Sequence, residues 1–458
     1  MEKQLNNPQV SEVAYFDSAI RTKAVKLHIS LTFLYKVLAI GLSYLLVPLT
    51  INYLNIEQYG IWMTLLSIMS WVAFFDIGLG NGLRNKLAEA LAVNNIKLAR
   101  TYVSTAYIAV CFIALIFFGI LISLLPFTPW NKVFNTVSLS NTELSSTVFV
   151  VGFFFLLNFV LSLCNPMFYA YQEASLATMR QVLLNLFALI AIYILIHYSS
   201  GSLLYLGICY GLSMVLSNLL LMFYFFKKHN AVIPSTRYIE LSKIREISSL
   251  GIKFFIIQMA VLVIFATDNM IITQVLGPAQ VTPYNVVFKL FSIITIGHSI
   301  ILTPLWSAYT DAYAKGDIKW IRDMLKKLNL MMIPIIIGVL ILIIFARDII
   351  NIWVGPEIKF PHLLVVFMGI YTVISVWNNN FGYLLNGISK IRFNILTAAF
   401  GAIINIPISV YLANKIGMSG IILGTIISLS LGAILNPIRS WYFIFSKRHS
   451  SSLDKIFS

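Results

Sequence analysis

The sequence predicts an all-α integral membrane protein with twelve transmembrane helices in two six-helix bundles. Three observations predict it. Of the 458 residues, 59% are hydrophobic and only 11% charged, with a mean hydropathy of +0.87, a balance no soluble domain shows. Apolar runs long enough to cross about 30 Å of hydrocarbon, roughly 20 residues each, recur twelve times. One stretch around the second run also recurs, at a constant offset of 222 residues.

The runs fall at 29–51, 59–77, 102–125, 147–170, 178–197 and 203–226, then 252–276, 283–308, 328–345, 362–383, 393–412 and 418–445. Alternate connections carry the cations: the N-terminal segment to Lys26, then Arg84 to Arg100, Arg180, Lys227 to Lys253, Lys315 to Lys327, Lys390 with Arg392, and Arg439 to Lys455. Of 32 Lys and Arg residues, Lys132, Arg347, Lys359 and Lys415 fall on the other side and Lys36 and Lys289 inside runs, so the remaining 26 mark one face. Short cytoplasmic loops hold the Lys and Arg excess; both termini are therefore expected in the cytoplasm. The polar N-terminal segment runs straight into a full-length span, which predicts no cleaved signal peptide. The largest connection, 227–251, is too short for a soluble domain, so function is expected within the bilayer.

The offset of 222 pairs Leu54 with Leu276, Gln58 with Gln280, Ser70 with Ser292, Leu83 with Leu305, Ala90 with Ala312, Ile96 with Ile318, Lys97 with Lys319 and Arg100 with Arg322; Glu89 meets Asp311. Chance similarity of apolar runs accounts for the leucines but not for the polar loop. Six spans follow each repeat start, so the halves share one orientation and are expected to be related by an axis along the membrane normal. The domains expected are a cytoplasmic segment 1–28, a bundle 29–226, a linker 227–251, a second bundle 252–445 and a tail 446–458. In the first copy Gly78, Gly80 and Gly82 form a structural turn beside Asp76 and Arg84. Leu83, Leu87 and Leu91 then recur at helical spacing, as on a helix lying flat at the inner interface. The second copy lacks the glycine string, which puts equal roles for the two loops in doubt.

An ionisable side chain deep in a span points to function or to a buried pair. Asp268 sits about 12 Å from the outer end of the seventh run at 1.5 Å per residue, too deep for its short side chain to reach water. Lys289, at similar depth on the next run, is either its partner or snorkels to the surface. His298 falls near the middle of the eighth run, as a neutral core histidine or a titrating cavity group. Lys36 lies about seven residues into the first. Asn269, Asn285 and Asn378 to Asn380 add neutral hydrogen-bonding groups.

Other classes are excluded by what these residues do not form. Cys111, Cys164 and Cys209 lie in apolar runs without metal-ligand spacing, so no metal site is expected. No nucleophile with a base and no phosphate-cradling P-loop occurs, so no catalytic residue and no bound cofactor is expected. The formal charge of +15 is scattered over short loops rather than gathered on one face, so nucleic acid is not the partner.

Three stretches, DIGLGNGLRNKLAEA, FATDNMIITQVLGPAQV and PLWSAYTDAYAKGD, resemble the O-antigen and polysaccharide flippases (the Wzx family) of the multidrug/oligosaccharidyl-lipid/polysaccharide exporter superfamily, and the resemblance covers essentially the whole chain. It implies transfer of an undecaprenyl-pyrophosphate-linked oligosaccharide between leaflets of the bacterial cytoplasmic membrane by alternating access, with the phospholipid membrane around it and H⁺ or Na⁺ as coupling ion. A polysaccharide polymerase and a chain-length regulator are the further partners expected. On this reading Lys36, Arg84, Lys289 and Asn269 bind the substrate, and Asp268, His298 and Asp76 couple or gate. Two alternatives stay open: a related cation-coupled multidrug exporter, and a membrane enzyme such as an O-antigen polymerase or lipid-linked glycosyltransferase.

Overall fold

The computed structural model describes residues 18–73, 78–248, 267–388 and 391–445, and every regular element among them is helical. The helices are α1 (Ser18–Tyr53), α2 (Ile56–Ala73), α3 (Leu79–Ala92), α4 (Ile96–Leu124), α5 (Trp130–Val133), α6 (Asn141–Leu161), α7 (Cys164–Ala170), α8 (Ala174–Tyr198) and α9 (Leu203–Lys228), followed by α10 (Asp268–Leu276), α11 (Val281–Ala314), α12 (Ile318–Trp353), α13 (His362–Gly387), α14 (Ile391–Ile416) and α15 (Met418–Phe445). Among the described residues ten helices are long and apolar enough to cross a membrane. Of the two other expected spans, the second is represented by the 18 residues of α2 and the seventh by α10; the rest of each lies outside the described residues.

The chain forms two compact units that are not contiguous in sequence. The first comprises Met1–Tyr53, Ala73–Thr128 and Ser140–Phe255; the second comprises Leu54–Val72, Pro129–Leu139 and Ile256–Ser458. Helix α2 and the short α5 loop thus cohere with the C-terminal residues.

The first unit has a hydrophobic core around α3. Gly78 takes φ 73°, in the left-handed region open to glycine, and α3 starts there. Its leucine stripe is covered by protein rather than by lipid: Leu83 and Leu87 are fully buried, against Val103, Met167, Phe168, Phe225 and Ile247. At about 25 cal/mol per Å² of apolar area, each such leucine contributes roughly 2 kcal/mol. Gly82 is needed for close approach, since a Cβ there would lie 1.8 Å from the carbonyl oxygen of Ile247. The connection after α9 is strapped to α4: the Ser235 amide donates to Ser104 Oγ (3.0 Å) and the Glu240 amide to Thr105 Oγ1 (3.1 Å). Arg100 Nε donates to the Ile233 carbonyl (2.8 Å) and Tyr102 to Glu246 (2.8 Å). The expected fourth span is broken between α6 and α7. Pro166 has no amide hydrogen to give, and the carbonyl of Ser162 instead receives the backbone (2.9 Å) and side-chain (2.8 Å) nitrogens of Asn165.

In the second unit, α2 and α10 meet along a seam of small polar groups. Thr64 and Thr273 hydroxyls are 2.6 Å apart, and Asn269 Nδ2 donates to Ser67 Oγ at 2.7 Å. Gln274 donates to the Val133 carbonyl (2.6 Å) and Asn135 to that of Thr273 (3.0 Å), and Glu57 accepts from Thr136 and Ser138. Helices α14 and α15 pack most closely at Gly420 and Gly424, where a Cβ would meet Leu412 O at 2.2 Å and Ser409 Oγ at 2.3 Å, the small-residue contact that membrane helices use in place of hydrophobic driving force.

The repeat is visible in the backbone. Helix α3 ends with Asn94 at φ 56° and α11 with Gly316 at φ 73°. The next amides, of Asn95 and Asp317, bond back to Ala90 O (2.9 Å) and Ala312 O (2.8 Å), closing each helix with a left-handed cap. Asn95 and Asp317 then cap α4 and α12, each side chain accepting from the amide three residues on at 3.0 Å. All of these pairs stand 222 apart. Two contacts between α2 and the start of α11 exchange under the same offset: Gly60 lies against Pro278 O, and Thr282 donates to Ile56 O at 2.6 Å. Reciprocal contacts of this kind are the pattern of a twofold relation. The copies differ where the glycines differ. Ile300, Leu302 and Pro304 stand in for Gly78, Gly80 and Gly82, and α11 runs unbroken through the position at which α3 begins.

Candidate functional site

Asp268 and Asn269 open α10 and are both buried. The Gly277 turn folds α11 back beside them, so residues 16 apart meet: Tyr284 donates to Asp268 Oδ2 at 2.5 Å and Asn285 to Asn269 Oδ1 at 2.7 Å. Together with Tyr371 of α13 and Thr425 of α15 they line a cavity of about 40 Å³, room for water or a small cation. Asp268 Oδ1 has no hydrogen bond of normal geometry, and Thr425 lines the same cavity. Next to it Asn405 donates to Thr425 at 3.3 Å, and its own buried Oδ1 has no partner. An unpaired carboxylate oxygen and an unpaired amide oxygen in one buried polar cluster require a proton, a water or a cation.

Lys289 is half-buried on α11, but Asp268 bonds to Tyr284 and not to it; the lysine partner expected from depth is replaced by a phenol five residues earlier. His298 is buried and pairs through Nε2 with Asn380 Oδ1 at 2.9 Å, the hydrogen-bonded core arrangement. Asn378 of the same asparagine run accepts from Asn436 at 2.9 Å. Buried polar pairs therefore link α11 to α13 and α13 to α15.

In the first unit Lys36 is half-buried and Arg84 exposed. The Arg84 guanidinium lies 4.9 Å from the ring centroid of Tyr169, a stacked cation–π contact. Gly80 and Gly82 are buried in α3, which presents Arg84; Asp76 lies outside the described residues. Behind Tyr169, Glu173 Oε1 accepts from Lys228 at 2.7 Å and from His229 at 3.2 Å. Burial by itself would raise this carboxyl, but the bonds from His229 and Lys228 hold it below the ordinary carboxylate range.

Tyr169, Tyr284, Thr425 and Asn405 are site groups that hydropathy passes over, because none is charged. One signal for Tyr284 was present in the sequence: Asp268 and Tyr284 flank the Gly277–Pro278 turn at the spacing of a helical hairpin.

The model of the family described as "Polysaccharide biosynthesis protein" matches residues 27–309. A Salmonella typhimurium protein named as an O-antigen transporter is 26% identical over 419 residues, 87% of this chain and 92% of that protein. A Yersinia pseudotuberculosis protein named as an O-antigen export protein is 22% identical over 432 residues, 92% and 94% of the two chains. Among solved structures, the inward-facing conformation of a multidrug resistance MATE family transporter of the MOP superfamily superposes with a TM-score of 0.74 at 14% identity, covering 90% of this chain and 96% of that one. An outward-facing conformation gives 0.58 at 15% identity, covering 89% and 96%. The likeness shows a shared fold.

Proposed function

As a member of the polysaccharide biosynthesis protein family, to which it belongs, this chain is, we propose, a flippase that moves a lipid-linked oligosaccharide from the cytoplasmic to the outer leaflet of the bacterial inner membrane. The observation that carries the reading is the match, over about nine-tenths of each chain, to proteins named for O-antigen transport and export. An undecaprenyl-pyrophosphate carrier suits the basic groups of the first unit, since diphosphate and guanidinium form charge-assisted bonds that strengthen away from water. Twelve spans with both termini in the cytoplasm, working by alternating access, complete the proposal. A polymerase and a chain-length regulator would use the product.

The coupling ion, Na⁺ or H⁺, would be held by Asp268, Thr425 and Asn405. One carboxylate among neutral oxygens fits a monovalent hard cation, and the two unpaired buried oxygens would gain a partner. Bound there, the ion would neutralise the charge that makes Asp268 unfavourable within the membrane.

The test is deletion of the gene in its host, with complementation by wild type, Lys36→Ala, Lys289→Ala and Asp268→Asn. Wild type is expected to restore surface glycan and clear lipid-linked repeat units from the inner leaflet. Asp268→Asn is expected to fall at least about tenfold in rate, the loss of one charge-assisted partner. If single repeats reach the outer leaflet without the gene and only chain length changes, the polymerase alternative is correct and the flippase is not.

A further inference from the structure

Helices α8 and α9 are each fastened to the first unit along one side. On α8, Asn185 donates to Ala39 O of α1 at 2.8 Å; on α9, Asn218 donates to Asn158 Oδ1 of α6 at 2.7 Å. The sides turned away from these bonds meet in an apolar groove of about 480 Å³, lined by Phe187, Ile190 and Ile194 of α8 and by Cys209, Leu212 and Leu216 of α9. Spaced three and then four apart on both helices, these residues form two facing stripes. Ser213 also lies in the wall, and its hydroxyl already donates to Cys209 O at 2.7 Å. The wall therefore offers water no hydrogen bond, and apolar cavities stay dry.

What the groove holds instead follows from where it lies. Both helices have the length and hydropathy of membrane spans, and Ile190, Ile194, Leu212 and Leu216 are exposed, so the groove is continuous with the surface that meets lipid. Toward the α8–α9 turn the two stripes end on exposed tyrosines, Tyr198 and Tyr205, a side chain that settles at headgroup level. From Tyr198 to Phe187, and from Tyr205 to Leu216, is 11 residues. At 1.5 Å per residue each stripe covers about 17 Å, close to one leaflet's share of the hydrocarbon.

Volume chooses among hydrocarbon chains. A methylene fills roughly the 30 Å³ that a water molecule takes in the liquid, so the groove holds on the order of 16 of them. That is the length of one phospholipid acyl chain; an undecaprenyl tail is several times longer. We propose that the α8–α9 groove binds a single acyl chain of a phospholipid from the leaflet at the α8–α9 turn, with the headgroup level with Tyr198 and Tyr205. The site requires only that the two helices span the membrane; it goes beyond the flippase reading and does not rest on it.

The test places full-length protein in vesicles of phosphatidylethanolamine and phosphatidylglycerol that carry a phosphatidylethanolamine with a photoreactive diazirine midway along one chain. Adducts are mapped by peptide mass spectrometry. Labelling per residue on 187–219 should exceed that on 340–344, an exposed apolar stretch of α12, by at least about fivefold. Ala191→Trp puts an indole into the groove and should bring 187–219 down to the level of 340–344. Should that variant melt early, Leu216→Trp, at an exposed position, makes the same test without disturbing the core. Undecaprenyl phosphate in excess should not compete. Labelling on 187–219 no higher than on 340–344, or unchanged in a folded tryptophan variant, overturns the proposal. Undecaprenyl phosphate that clears the label from the groove would make the occupant a polyprenyl tail and overturn it as well.

Discussion

At Glu173 one carboxylate oxygen receives both Lys228 and His229 while the other, Oε2, is buried without a partner. A carboxyl held below its ordinary range binds fewer protons folded than unfolded, so its contribution is complete above the unfolded value and lost as pH falls through the folded one. Glu173→Gln is therefore expected to lower the melting midpoint at pH 7, by a loss of about 1–3 kcal/mol for a charged hydrogen bond. On acidification toward pH 4 the gap to wild type should close. A gap that stays constant across that range would show that Glu173 acts through packing alone. At this scale the sequence reveals polar groups by depth: Asp268, Asn269 and His298 are all buried and hydrogen-bonded. It does not reveal Tyr284 or Thr425, whose side chains are ordinary in an apolar helix.

At the scale of elements, the offset of 222 foretells paired helix ends, and Asn95 and Asp317 cap their helices identically. The missing second glycine string foretells unequal copies, and α11 is continuous where α3 begins anew. Amphipathicity cannot say what covers an apolar stripe; the leucines of α3, expected at lipid, are covered by α4, α7 and α9. The partnership of α2 is likewise hidden, because Thr64 and Ser67 meet Thr273 and Asn269 across some two hundred residues. Two cysteines at Thr64 and Thr273, whose hydroxyls stand 2.6 Å apart, are within bridging distance. Mild oxidation of membranes should make both unreactive to maleimide and halt glycan export until reductant is added. Cysteines that stay reactive would mean the seam is open in the membrane, and continued export by the bridged protein would mean that it never needs to open.

For the whole molecule, the Lys and Arg asymmetry is a statement about sides that packing does not contain. Reporter fusions check it: green fluorescent protein after Ser458 should fluoresce and alkaline phosphatase there should be silent, since the former folds in the cytoplasm and the latter outside it. An active phosphatase would reverse the orientation. Segments read as loops prove partly helical, as in α12, which carries Lys319 to Lys327 on the same 36-residue helix as its membrane run, because a helix leaving the bilayer keeps its backbone bonds.

Mechanical grouping and gene order disagree in this protein: α2 and the Pro129–Leu139 loop are encoded in the first half and cohere with the second. The offset of 222 marks two tandem copies, yet the packing does not divide where the copies do. A crossover between relatives at the midpoint would import a foreign Thr273 and Asn269 to face a resident Thr64 and Ser67. Viable recombinants should carry α2 and that loop along with the C-terminal half, so diversity in this lineage is expected to accumulate by substitution along the seam rather than by exchange of halves.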